Sequence, residues 1–220
     1  MVELIRGLEV GTVRANLERV RSEIARTGRD PAGVQILAAV KYVPVDELGV
    51  LAEAGLTLLG ENRAQDLVEK AQAYPGRFTW DFIGHLQSRK VRLLLPHVRY
   101  IETVASDSAL DELRRHGDAS TEVLVEVNVA GEAGKSGIAP EELPGFLARS
   151  PVRVVGLMTM PPLAAAPEGS RRHFAALREL ASRNGLPELS MGTSQDYIVA
   201  VEEGATIVRL GTSLYRPAGG

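Results

Sequence analysis

Between residues 12 and 27, apolar side chains recur at helical spacing (Val13, Leu17, Val20 and Ile24) with Arg and Glu between them. That stripe predicts an amphipathic helix, with Gly28 as its stop. Downstream the pattern changes. Short continuous apolar runs near 35–40, 57–60, 80–83, 99–102, 122–128, 152–157, 188–191 and 206–209 predict strands. Helical patterns near 45–54, 62–73, 87–95, 107–117, 140–149, 168–184 and 195–203 separate them. Strands rich in Val, Ile and Leu without alternation are buried on both faces, and strand–helix alternation gives a parallel sheet. Eight such units predict an α/β fold, a (β/α)8 TIM barrel. It is expected to be a single domain over 1–220, with residues 1–30 supplying a helix that packs on the barrel. An open doubly wound sheet is the alternative. "MPPLAAAPEGS", 160–170, reads as a surface loop before a helix.

Composition narrows the function classes. A net charge of -3 with acids and bases interspersed lacks the basic footprint of a nucleic-acid binder. The absence of cysteine excludes disulfides and thiolate metal sites. The opening "MVELIRGLEV" has no signal-peptide character, and no apolar run reaches membrane-spanning length, so a cytoplasmic protein is expected. Of 25 basic residues only Lys41, Lys70, Lys90 and Lys135 are lysines, which marks them as places where an amine could matter.

Lys41 ends the apolar run "ILAAVKYVP". In a barrel of this kind chemistry gathers at the C-terminal strand ends, with phosphate sites often after strands seven and eight. There "SMGTSQD" offers Gly192, Thr193 and Ser194, and "RLGTS" offers Gly211, Thr212 and Ser213. Small residues let backbone N–H groups approach an anion, and hydroxyls add donors. The same residues would also serve as caps and turns. Barrel closure would put that phosphate site beside Lys41, whose amine in a partly desolvated mouth could attack an aldehyde. Aldehyde plus phosphate describes pyridoxal 5′-phosphate (PLP) and some sugar phosphates. A surface lysine snorkelling from a strand exit is the plain alternative.

Taken together, "AAVKYVP", "LGENRAQD", "DFIGHLQSRK", "VNVAGEAGKSGI", "GLMTM", "LSMGTSQD" and "VRLGTSLY" resemble, in order and spacing, the pyridoxal phosphate homeostasis protein family, known as YggS or PROSC. The match spans residues 34–215. The resemblance implies the barrel of the alanine racemase N-terminal domain, PLP fold type III. It makes Lys41 the Schiff-base lysine and places the cofactor phosphate on Ser194, Gly211 and Thr212, with Thr193 nearby. It sets Arg209 beside the pyridine nitrogen and Asn62 near the ring. Lys135 is implied in the mouth of the site or in PLP transfer. The chain departs from the family pattern at Arg89, where asparagine is usual, at Arg216, where glycine is usual, and at Thr193, where methionine is common.

An arginine at the pyridine nitrogen only donates hydrogen bonds, which weakens the ring as an electron sink. Racemases of the resembling type also need a second base, a tyrosine from a separate C-terminal domain. Tyr42, Tyr197 and Tyr215 are not expected to supply it. The expectation is therefore a carrier that buffers PLP and delivers it, with PLP-requiring apoenzymes as acceptors, working as a monomer. An amino-acid racemase, or a Schiff-base aldolase, is the competing reading. "GEAGKSG" lacks the first glycine of a phosphate-binding P-loop, since Val129 stands there. His85, His97, His116 and His173 are too scattered for a metal site, and only His85 falls at a strand end.

Overall fold

The computed structural model describes residues 4–216; the ends of the expected 1–220 span, 1–3 and 217–220, lie outside the described residues. Helix α1 (Val10–Arg26) comes first. Eight strand–helix pairs follow: β1 (Gln35–Ala39) and α2 (Leu48–Glu53), β2 (Leu58–Glu61) and α3 (Ala64–Ala73), β3 (Thr79–Phe82) and α4 (Val91–Leu94), β4 (Tyr100–Val104) and α5 (Asp107–His116). The second half adds β5 (Glu122–Glu126) and α6 (Leu143–Arg149), β6 (Arg153–Met158) and α7 (Arg171–Arg183), β7 (Glu188–Thr193) and α8 (Tyr197–Glu202), β8 (Ile207–Leu210) and α9 (Thr212–Tyr215). The strands are parallel and close into a barrel in the order β1 to β8. The closing seam runs from Gln35↔Ile207 to Ala38↔Leu210, which removes the open-sheet alternative.

Every expected strand is present, with shifted ends. β5 stops at Glu126 rather than 128 because the chain there turns to meet its own return: Val127 bridges Ile138, and Asn128 N–H donates to the Ile138 carbonyl at 2.9 Å. β7 runs on to Thr193, held by pairing with Arg209. The expected helix at 87–95 is helical only over Val91–Leu94, after a single 3-10 turn at Ser88–Lys90. α9 was not expected from the sequence.

Side chains two apart on a strand share a face. An inner cluster of Leu37, Tyr100, Leu124, Val155, Met158 and Ile207 fills the barrel. Two residues further on, Glu102, Glu126 and Arg209 continue the inner faces of β4, β5 and β8. The interior is therefore largely apolar below, where the buried Asp81 stands in register with Tyr100, and charged above, toward the C-terminal mouth. The larger apolar layer lies between strands and helices, and the α1 stripe Val13, Leu17, Val20 and Ile24 is buried in it. Asn16 of α1 donates its amide to the carbonyls of Leu214 (3.2 Å) and Arg216 (2.8 Å), tying the first helix to the last. No helix among the described residues is long and apolar enough to cross a membrane.

Candidate functional site

Lys41 follows β1 by two residues. Its backbone is anchored on both sides: Val40 N–H donates to the Gly60 carbonyl at 2.9 Å, and Val43 N–H returns to the Val40 carbonyl at 3.0 Å. Lys70 of α3 reinforces the anchor. Its buried ammonium donates to the Val40 carbonyl at 2.7 Å and to the Glu61 carboxylate at 2.5 Å. The partly desolvated setting expected for Lys41 is not what surrounds it: the residue is exposed, with its ammonium 4.5 Å from the Tyr42 ring centroid. Asn62 leaves β2 half-buried, its N–H bonded to Glu61 Oε1 at 2.6 Å. The exit of β3 presses on it so closely that a Cβ on Gly84 would stand 1.9 Å from the Asn62 carbonyl oxygen.

The small residues after β7 and β8 converge. Gly211 N–H donates to Ser194 Oγ at 3.2 Å, and Ser194 Oγ lies 2.9 Å from Ser213 Oγ. Thr212 opens α9 beside them and is exposed. This cluster adjoins the β1 exit through the β1–β8 seam. Thr193 is committed elsewhere: its N–H (2.7 Å) and hydroxyl (3.0 Å) both reach Asp196 Oδ1, while Ser170 donates to Oδ2 at 2.8 Å. Gly192 permits that turn. Its φ is +91, and a Cβ there would meet Ala200 Cβ at 2.5 Å.

Arg209 points from β8 into the mouth, its side chain 5% exposed. It donates to Ser190 Oγ at 2.6 Å and to the Thr159 carbonyl at 2.8 Å. Burial lowers its pKa, against the pull of Glu102, Glu126 and Asp196. Burial pushes the Glu126 carboxyl up to about 7, and Arg209 opposes the rise. A cavity of about 900 Å³ opens above Arg209 and Glu126, bordered by Thr193, Asp196, Lys135 and the 160–167 segment. It lies on the β5–β7 side of the mouth, so Arg209 and Thr193 line it, while Lys41, Asn62, Ser194, Gly211 and Thr212 do not. Lys135 pairs with Glu132 at 2.8 Å, and His85 Nδ1 is 3.2 Å from Ser136 Oγ at the rim. Arg89 and Arg216 are exposed.

Sequence reasoning gave no role to Lys70, Asp81 and Glu126, and noted Glu102 and Ser190 only as polar residues at the strand ends. The acids did leave a signal: "TWDF", "YIETV" and "EVLVE" each carry a carboxylate inside an apolar strand run. No group of three or more His, Cys, Asp or Glu that could hold a metal occurs among the described residues. The donors present are an amine, a guanidinium, and paired hydroxyl and backbone N–H groups. That set fits a phosphorylated aldehyde bearing an aromatic nitrogen.

Fold and donors together define a single (β/α)8 barrel with hydroxyl, backbone N–H, amine and guanidinium groups gathered at its C-terminal end. The family model for the alanine racemase N-terminal domain matches residues 9–218. A pyridoxal phosphate homeostasis protein of Aquifex aeolicus is 39% identical over 213 residues, covering 90% of this chain and 93% of that protein. The chain belongs to the pyridoxal phosphate homeostasis protein family. PipY of Synechococcus elongatus, solved with PLP bound, superposes with a TM-score of 0.78 at 30% identity, covering 93% of this chain and 100% of PipY. Alanine racemase from Corynebacterium glutamicum shares the fold, with a TM-score of 0.71 at 16% identity, over 97% of this chain and 63% of the racemase.

Proposed function

We propose that this protein binds PLP in the barrel mouth, holds it covalently on Lys41 and hands it on to PLP-requiring apoenzymes. One observation carries the reading. Three kinds of donor stand at the same end of the barrel: Lys41 after β1, the Ser194–Gly211–Ser213 cluster after β7 and β8, and the buried Arg209 guanidinium. The family membership and the PLP held by PipY favour the same cofactor.

In this reading Lys41 would hold the cofactor by its aldehyde, the amine condensing there with loss of water. An incoming amine, from an amino acid or an acceptor lysine, would displace the Lys41 amine and carry the cofactor away as its own imine. Ser194, Gly211 and Thr212 take the phosphate, with Thr193 shaping the turn beside them. Asn62 borders the ring. Arg209 would donate to the pyridine nitrogen and, having no acceptor, would keep it unprotonated, so that the ring would draw electrons weakly. That suits holding and release more than turnover.

The test is borohydride reduction of the purified yellow protein followed by peptide mapping. The pyridoxyl tag is expected on the peptide carrying Lys41, and Lys41→Ala should remove the visible band. A tag confined to Lys90 or Lys135, or no tag, would sink the assignment. Interconversion of alanine or serine enantiomers at ordinary enzyme rates, about 1 s⁻¹ or faster, would make the protein a racemase.

A further inference from the structure

Below Arg209 the barrel holds a chain of polar groups that the binding of PLP does not itself require. Arg209 Nη1 donates to Ser190 Oγ (2.6 Å), and the Ser190 hydroxyl donates in turn to Glu102 Oε2 (2.6 Å). Glu102 is fully buried, and its other oxygen, Oε1, receives no hydrogen bond from any N–H or hydroxyl group among the described residues. Asp81, also fully buried, stands on the adjoining strand β3 in register with Tyr100, two residues before Glu102, and its charge adds to the rise of the Glu102 pKa. Two buried carboxyls on adjoining strands disfavour the doubly ionised state, and an oxygen that no donor reaches suits a neutral acid, so one of the pair holds a proton. Asp81 already accepts from Arg99 Nε (3.0 Å), Arg99 Nη2 (2.5 Å) and Tyr100 N–H (3.2 Å). Burial raises the pKa of Asp81 too, but these three donors oppose the rise, whereas Glu102 Oε1 has none, which favours the proton on Glu102.

This matters for Arg209, whose Nη1 is 4.0 Å from Glu102 Oε2. An ionised Glu102 would pull the guanidinium down into a buried ion pair, where attraction is strong because solvent is excluded. A neutral Glu102 holds it only through the Ser190 hydroxyl. We propose that Glu102 is a positioning residue for Arg209, acting through Ser190, and that the proton it carries leaves the guanidinium free to face the cofactor's ring nitrogen. The charged groups around Glu102 are Asp81 from β3, Arg99 at the start of β4 and Arg209 from β8, with Glu126 of β5 beyond Arg209. The inference rests on the PLP reading for what Arg209 faces.

Glu102→Gln is the decisive variant. Its amide presents what the protonated acid presents, an acceptor toward Ser190 and a donor at the other position, so it should fold. With PLP bound, the absorbance maximum of the wild-type protein should shift as pH crosses about 8. Glu102→Gln should keep the neutral-pH maximum throughout. Ser190→Ala, which cuts the link, should weaken PLP retention about tenfold, as loss of a hydrogen bond to a charged group does. Identical pH profiles for the wild-type and Glu102→Gln proteins would overturn the proposal. A second readout needs no cofactor. The infrared band of a protonated carboxyl should be present at neutral pH, persist in Glu126→Gln and disappear in Glu102→Gln carrying the same Glu126 change. If it persists there, the proposal fails whether or not PLP binds. Failure to take up PLP with the band behaving as described counts against the carrier reading alone.

Discussion

Two lysines within one loop and helix have opposite fates. Lys41 was legible because it ends an apolar run, where a charge is conspicuous. Lys70 sits in a helical pattern where a solvated lysine would look the same, yet it is 5% exposed. Its burial depends on Glu61, which comes from another element, and no local pattern reports that pairing. Glu61 is fully buried, and its other oxygen takes the N–H groups of Asn62 (2.6 Å) and Arg63 (3.2 Å). The pair thus fixes both the β1 exit that carries Lys41 and the β2 exit that carries Asn62. Removing one partner strands a buried charge, a loss of about 3–5 kcal/mol in comparable pairs. Lys70→Met should show that loss in urea unfolding, and Lys70→Met with Glu61→Leu should recover a large part of it. A single-variant loss under about 1 kcal/mol, the range of exposed pairs, would reduce the contact to an ordinary surface bridge.

The eight strands could be read from the sequence because burial on both faces makes each a continuous apolar run. Their ends could not, since tertiary pairing sets them, as with β5 ending at the Ile138 return and β7 extending to meet Arg209. α9 escaped for a different reason: four residues are too few for a helical period to emerge. It is held from outside, by Asn16 on the carbonyls of Leu214 and Arg216 and by Arg19 on the Ser213 carbonyl at 3.0 Å. Ser213 and Gly211 belong to the proposed phosphate cluster, so α1 supports the site from behind the barrel wall. Asn16→Ala should cost about 1 kcal/mol of stability, the usual net worth of such hydrogen bonds. It should also weaken PLP retention, although Asn16 touches none of the proposed cofactor contacts. Retention equal to wild type at lowered stability would show that α9 keeps its position without the tie.

A closed barrel isolates whatever its inner face carries, and here that face carries acids. Glu102 is fully buried and Glu126 is 8% exposed. Burial lifts Glu102 from an ordinary 4.5 to about 8, with Asp81 adding to the rise and Arg209 and Ser190 opposing it. Burial lifts Glu126 from 4.5 to about 7. The folded state thus holds protons that the unfolded chain gives up at about 4.5. As pH rises between those values the native state binds more protons than the unfolded state, so stability must fall. Each group contributes a slope of about 1.4 kcal/mol per pH unit across its own window, and none above it. His173, lowered mainly by burial, acts in the opposite sense and blunts the wild-type curve. The comparison that isolates the carboxyls is therefore a difference. Melting of the cofactor-free protein should be followed against pH for wild type and for Glu102→Gln combined with Glu126→Gln, since neither amide titrates. The variant's advantage should grow with pH, steeply while both groups titrate, less steeply from about 7 to about 8, and level off beyond. A difference that stays flat across the whole range would mean that both carboxyls are ionised in the folded barrel at neutral pH, and the charge next to Arg209 would then be negative.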